Sequence, residues 1–239
     1  GLKLIEVLRD GLRLTSVKNG CGEGACGACM VIMDGKAVKA CIQRTERING
    51  RHILTLEGLT PREREVYAYA FTEAGAVQCG FCTPGMVISA KALIDANPDP
   101  SPEQARLAIK GNICRCTGYK KIVDAILLAA KLLKSGQEVA SSELKGMMGD
   151  RLHRVDAPAK AIGEALYADD VYLDGMIYGS ALRSAYPRAR IISIDSSEAE
   201  KLPGVVTILT AKDVPGQQKI GHLKQDYDVM IPVGEITHF

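Results

Sequence analysis

Residues 21–29 read CGEGACGAC, three thiols on one short loop with glycines at positions 22, 24 and 27. Cys21, Cys26 and Cys29 thus follow the spacing C-x4-C-x2-C. A loop that turns three thiolates toward one centre has to wrap tightly. Gly22, Gly24 and Gly27 permit positive φ and let amide N–H groups approach sulfur without obstruction by a Cβ. Downstream, Met30 to Met33 and Lys36 to Ala40 flank Asp34-Gly35, the mark of a two-residue hairpin. Counting back from that turn puts Cys41 just past the position opposite Cys29, so that four cysteines meet.

All eight cysteines lie between residues 21 and 116 of a 239-residue chain, a lopsided distribution that favours cofactor sites over a disulfide framework. Pairs as close in sequence as Cys26/Cys29, Cys79/Cys82 and Cys114/Cys116 would also make strained disulfide loops. The C-x4-C-x2-C opening is the spacing of a plant-type [2Fe–2S] cluster, with N–H···S contacts stabilising the negative centre. The remaining cysteines, Cys79, Cys82, Cys114 and Cys116, sit in QCGFCTPG (78–85) and GNICRCTGY (111–119). A candidate helix start follows each pair, aiming a positive dipole end at an anionic cluster. A four-thiolate zinc site, and with it a non-catalytic zinc-stabilised binding module, is the competing reading of the second set. A reactive CxxC at Cys79/Cys82 is a further alternative, but no βαβ pattern surrounds it.

The pattern outside the loops is that of an α+β chain. Leu2 to Asp10 reads as a helix stopped by Gly11, and residues 1–58 form a first domain. Residues 59–136 read as a helical bundle. Val66, Ala70, Ala74 and Val77 recur at helical spacing, and a helix with Thr83 as N-cap ends at Asn97-Pro98. Ser101, Pro102 and Gln104 open the next helix with a capping box, and Gly111 closes it. Ile122, Ala125, Ile126, Ala129 and Leu133 line one face of the last. Residues 137–150 read as a linker. From 151 to 239 short β-like runs, Met176–Ala181, Ile191–Ile194 and Val205–Leu209, alternate with turn residues. Thirty basic and twenty-eight acidic side chains give a formal charge of +2 without a like-charge run, which predicts no nucleic-acid or membrane-surface partner. The longest apolar candidate, Ile122 to Leu133, is too short for a bilayer and is interrupted by Asp124 and Lys131.

The joint occurrence of CGEGACGAC with Cys41, VQCGFCTPGM (77–86) and GNICRCTGY resembles the iron–sulfur part of the molybdenum hydroxylases, the xanthine dehydrogenases and aldehyde oxidoreductases. HRVDAPAKAIGEALYADDV (153–171), GMIYGSALRSAYPRARIISID (175–195) and LPGVVTILTAKDVPG (202–216) resemble the opening α/β hammerhead of the molybdopterin-binding part. IGHLKQDYDVMIPVGEITHF (220–239) is similar to bacterial xanthine dehydrogenases of the selenium-dependent type. The resemblance implies a partial β-grasp ferredoxin-like domain (1–58), a helical [2Fe–2S] domain (59–136), a linker (137–150) and the start of the hammerhead (151–239). It implies one cluster on Cys21, Cys26, Cys29 and Cys41, and a second, nearer the molybdenum, on Cys79, Cys82, Cys114 and Cys116. The family's first β-hairpin and its molybdenum pocket, with the glutamate base, fall outside the visible text. An interior fragment of a longer protein is therefore expected, with no catalytic residue in this stretch.

The resemblance further implies a cytoplasmic hydroxylase of a purine-like nitrogen heterocycle, with an aldehyde or another heterocycle as the alternative. Electrons would run from the molybdopterin cofactor through the two clusters to a flavin/NAD or other acceptor. FAD would sit on a partner subunit of a homo- or hetero-oligomer. By the same resemblance Gln78 hydrogen-bonds the pterin and Cys116 is the ligand next to it; Gln78 is equally readable as a helix-end polar group. Arg115 either offsets cluster charge or points to solvent. His52, His153, His222 and His238 share no metal-ligand spacing and read as ordinary histidines. Glu164 and the pair Asp169-Asp170 read as turn and surface residues.

Overall fold

The computed structural model describes residues 1–139, 147–148 and 152–237. Most of the expected linker, together with His238, lies outside the described residues. The chain divides into two compact units, Gly1–Leu173 and Asp174–Phe239.

In the first unit, β1 (Met30–Met33) and β2 (Lys36–Lys39) form the hairpin that Asp34-Gly35 dictates. Both turn residues take positive φ, +48° and +79°, as a type I′ turn requires. β3 (Ile53–Leu54) pairs with the other side of β1, giving the order β2-β1-β3. β1 is central and buried on both faces, so its two-residue period serves two cores. Val31 joins Leu4, Ile5, Leu8 and Val17 in a small core with Cys29 and Cys41. Met30 and Ile32 point the other way, into the larger helical core. The opening helix is shorter than Leu2–Asp10: α1 (Leu4–Glu6) runs into a wide π-turn at Val7–Gly11, closed by the Leu12 N–H on the Val7 carbonyl.

The helical part contains α2 (Pro61–Glu73), α3 (Thr83–Ala96), α4 (Pro102–Ala108) and α5 (Lys120–Ser135). The Ser101/Gln104 capping box opens α4 as expected, and a second box, Thr60/Glu63, which the sequence reading passed over, opens α2. Ile122, Ala125, Ile126 and Ala129 of α5 are buried, and Gly136 in the left-handed region ends that helix. α3 starts one residue earlier than expected. The Cys82 carbonyl accepts from the Met86 N–H, which makes Cys82 itself the N-cap.

After the segment 140–151, α6 (Ala157–Ala161) packs on α2 and α3 within this same unit and buries Ala157 and Ala161 in the helical core. Asp170 corrects its reading as a surface residue. Its side chain is 1% exposed, with Oδ2 2.5 Å from Lys18 Nζ and Oδ1 3.0 Å from the Arg9 guanidinium. Two buried cations from the first domain demand a buried anion, and only tertiary contact could reveal that need. Glu164 is exposed and ion-paired with Arg64, and Asp169 is exposed beside Arg9.

In the second unit, β4 (Lys219–Ile220) pairs antiparallel with β5 (Tyr227–Asp228), and a bridge joins Arg190 to Ile236. Met176–Ala181 and Val205–Leu209, expected as strands, have no ladder partner among the described residues. A strand exists only through its neighbours' hydrogen bonds. Ile177, Val206 and Leu209 accordingly stand exposed. No helix among the described residues is long and apolar enough to cross a membrane.

Candidate metal centres

The first four-cysteine set is built where the loop 21–29 meets the end of the hairpin. The Met30–Lys39 register carries the chain on so that the Ala40 N–H reaches the Cys29 carbonyl at 3.0 Å, and Cys41 follows. Gly22, Gly24 and Gly27 all take positive φ, as the wrapped loop requires. Amide groups turn inward: the nitrogens of Glu23 and Cys26 lie 3.4 Å from Cys21 Sγ, and that of Gly24 lies 3.1 Å from Cys41 Sγ. The N–H groups of Cys26 and Glu23 bring the Cys21 thiol down to about 6, so it is a thiolate at neutral pH. Burial pushes Cys29, beside Cys41, up to about 12. Metal binding there would release a proton.

The second set draws Cys79 and Cys82 from the turn before α3, and Cys114 and Cys116 from the turn before α5. Cys79 and Cys116 are exposed, with sulfurs 3.6 Å apart, too far for a disulfide. Burial drives Cys82 up to about 12, with Cys114 adjacent. For Cys114 burial acts the same way but is outweighed. The Thr117 hydroxyl, 3.2 Å from its sulfur, and the N–H groups of Cys116 and Thr117 lower it. The helix expected directly after Cys116 begins only at Lys120, because Thr117–Tyr119 first turn back. Tyr119 takes φ +68°, accepts the Cys114 N–H at 2.8 Å and donates to the Asn112 carbonyl at 3.3 Å.

Each set thus gathers four thiols that act on one another: Cys21, Cys26, Cys29 and Cys41 in the first, and Cys79, Cys82, Cys114 and Cys116 in the second, where the Cys79 and Cys116 sulfurs lie 3.6 Å apart. Among the described residues no three His, Cys, Asp or Glu side chains converge on one ion position. Four thiols in each set, with amide donors on Cys21 and Cys41, are a donor set that would hold a [2Fe–2S] cluster.

The two cysteine loops are joined directly. Ile113 donates its N–H to the Cys26 carbonyl at 2.8 Å. The buried Asn112 amide donates to the Gly27 carbonyl at 3.0 Å and accepts from Ser89 Oγ at 2.9 Å. Asn112 escaped the sequence reading, although it sits inside GNICRC; its partner Gly27 is 85 positions away. Gln78 is exposed beside Cys79, and Arg115 is exposed. His52 and His222 are exposed and His153 pairs with Glu73, so these three gather at neither set.

Family models match in three consecutive blocks. A 2Fe-2S iron-sulfur cluster binding domain covers residues 1–55. A [2Fe-2S] binding domain covers 55–127, and the a/b hammerhead domain of aldehyde oxidase and xanthine dehydrogenase covers 162–238. The aldehyde oxidoreductase of Megalodesulfovibrio gigas is 40% identical over 229 residues, 91% of this chain and 25% of its own length. The small FeS subunit of nicotinate dehydrogenase from Eubacterium barkeri is 48% identical over 130 residues, 54% of this chain and 83% of that subunit. Among solved structures, the aldehyde oxidoreductase from Desulfovibrio gigas superposes with a TM-score of 0.85 at 39% identity, over 92% of this chain and 26% of that one. The chain thus spans about a quarter of the aldehyde oxidoreductases it matches and most of a small FeS subunit. Two [2Fe–2S]-binding domains followed by hammerhead sequence, with identity at this level, mean that the chain belongs to the molybdenum hydroxylase family of xanthine dehydrogenases and aldehyde oxidoreductases.

Proposed function

We propose that this chain is the electron-relay portion of a molybdopterin-dependent hydroxylase, with Cys21, Cys26, Cys29 and Cys41 holding one [2Fe–2S] cluster and Cys79, Cys82, Cys114 and Cys116 the other. The observation that carries the reading is the gathering of the eight cysteines into two sets of four, with backbone donors on Cys21 and Cys41. When bound, the clusters supply single-electron acceptance and donation between the molybdenum cofactor and an acceptor. The protein's part is to hold the sulfurs rigidly, to donate N–H groups to them and to keep the two loops at a fixed spacing through Ile113 and Asn112. Cys79, Cys116 and Gln78 form the exposed edge of the second set, the side from which a pterin would be reached. There the Gln78 amide would hydrogen-bond it and Cys116 would be its neighbour.

The domain limits that fit this role are 1–58 and 59–136 for the two cluster domains, and 151–239 for the start of the molybdopterin part. For the whole cytoplasmic enzyme the proposed substrate is a purine-like nitrogen heterocycle and the proposed partner a flavin-bearing subunit of the same oligomer. The heterocycle is supported by the nicotinate relative and by the xanthine dehydrogenase sequences named in the hammerhead family. An aldehyde is the second reading, favoured because the aldehyde oxidoreductase match extends through the third segment. Anaerobic purification followed by iron and acid-labile sulfide analysis tests the relay: two irons and two sulfides per cluster are expected. Zinc without sulfide refutes it. Turnover of the full-length enzyme with hypoxanthine or xanthine tests the substrate, and reduction of an artificial acceptor by aldehydes alone discards the purine.

A further inference from the structure

The stretch 157–172 supplies no cysteine, yet it lies against the second cysteine loop and against the segment just before the first. Gly163, at φ +79°, passes so near the first domain that a Cβ on it would come within 2.4 Å of Ser16 Cβ. The chain then turns at Tyr167, and everything behind that ring is held. Its backbone N–H donates to Asp170 Oδ2 at 3.0 Å, and the Asp170 N–H returns to the Tyr167 carbonyl at 2.8 Å. The same carboxylate oxygen takes Lys18 Nζ at 2.5 Å, and that fully buried ammonium lies 4.7 Å from the centre of the Tyr167 ring. The ring also meets Phe81 edge-on at 5.2 Å. Its hydroxyl donates to the Cys79 carbonyl at 2.8 Å. Between these two contacts Gly80, at φ +84°, leaves no room: a Cβ there would stand 2.8 Å from Tyr167 Oη and 2.7 Å from Lys160 Cδ.

The geometry points to Tyr167 as a positioning residue for Cys79, its hydroxyl fixing the exposed end of the second cysteine set from a segment beyond both cluster domains. The inference rests on the reading of Cys79 as a ligand and adds what sets its pose. Cys82 is half-buried as the N-cap of α3, so the helix places it. Cys79 is exposed in a turn, where one strong hydrogen bond from a locked ring decides how far its backbone, and hence its sulfur, can swing. The Lys18–Asp170 pair, anchored three residues before Cys21, holds that ring, so the pose of Cys79 depends on the first domain as well.

Tyr167→Phe removes the hydroxyl and keeps the ring, with its Phe81 and Lys18 contacts. In the intact holoprotein, alkylation in the presence of an iron chelator, followed by peptide mass spectrometry, reports each site separately. Cys79 and Cys116 are expected to label roughly three- to tenfold faster than in the parent, the range set by the net worth of one hydrogen bond. Cys21 and Cys26 should label unchanged. One of the two [2Fe–2S] electron paramagnetic resonance signals should move in g-values and midpoint potential while the other stays. Tyr172→Phe, whose hydroxyl donates instead to Asp10 at 3.3 Å, serves as control and should change neither readout. Equal labelling rates and coincident signals in Tyr167→Phe and parent would overturn the inference, as would a lowered melting temperature with equal acceleration at all sites. A parent preparation without labile sulfide removes the ligand reading itself, before any variant is compared.

Discussion

Replacing Asn112 by alanine removes the side-chain link across the seam between the two cysteine loops without touching a sulfur and leaves the Ile113 link in place. The amide is 2% exposed, donates to the Gly27 carbonyl at 3.0 Å and accepts from Ser89 Oγ at 2.9 Å. Ser89 loses little, because its hydroxyl still has the Gly85 carbonyl at 3.1 Å. The Gly27 carbonyl is left as a buried acceptor without that donor, which costs about 1–3 kcal/mol. The void left by the amide group adds about 1 kcal/mol. The expected destabilisation is therefore about 2–4 kcal/mol, read as the parent-minus-variant difference in urea unfolding of the anaerobic holoprotein, followed by circular dichroism. Visible absorption should fall in the same transition, because the loops on either side of the seam carry the thiolates. A difference below about 0.5 kcal/mol would show that Ile113 alone holds the loops together, and would refute the role given to Asn112.

Gly27→Ala is expected to be far more damaging than Gly35→Ala although both glycines have positive φ. A Cβ on Gly27 would meet the Gly111 carbonyl oxygen at 2.3 Å, whereas one on Gly35 meets nothing within 4 Å. Gly35→Ala should cost about 1 kcal/mol of backbone strain, and Gly27→Ala should lower iron content as well as stability; equal effects would contradict the interlocked loops. Asp170→Ala strands the buried Lys18 ammonium, while Arg9 keeps Asp169, and should cost about 3–5 kcal/mol at neutral pH. Burial opposes ionisation of Asp170, but the Lys18 ammonium and the Tyr167 N–H outweigh it and hold the carboxyl below its usual value. Its stabilisation is thus complete above the unfolded pKa near ~4 and is lost as pH falls through the lower folded value. The parent-minus-variant difference should stay flat from neutral pH to about 5 and shrink in stronger acid; a difference that shrinks toward alkaline pH instead would reverse the sign. Ile126→Ala, at a site fully buried among the helices, should cost about 2–5 kcal/mol in the same urea assay, and a loss under 1 kcal/mol would argue against the close packing of α5.

Features that depend on a few consecutive residues were legible before any coordinates. Asp34-Gly35 specifies a type I′ turn because both positions need positive φ, and that turn alone carries Cys41 to Cys29. The Ser101/Gln104 box and the apolar face of α5 are equally local, and both appear where the residues put them. The exact cap residue is decided by backbone geometry rather than residue type. Thr83 reads as an N-cap by type, but the carbonyl that accepts the first helical bond is that of Cys82. The run of β-branched and apolar residues likewise marks Val205–Leu209 as strand-like, yet it has no ladder partner among the described residues.

From the residue text alone came the eight thiols, their division into two sets of four, the hairpin that closes the first set and the family to which the three cysteine strings belong. Tertiary structure alone decided which sulfurs stand beside which, that Asn112 and Ile113 join the two loops, and that Asp170, 152 positions from Lys18, is a buried counter-ion rather than a surface charge. The division has one physical cause. Backbone torsions and caps are set by neighbours in sequence, whereas the need of a buried amide or ammonium for a partner is created only when distant segments expel water from between them.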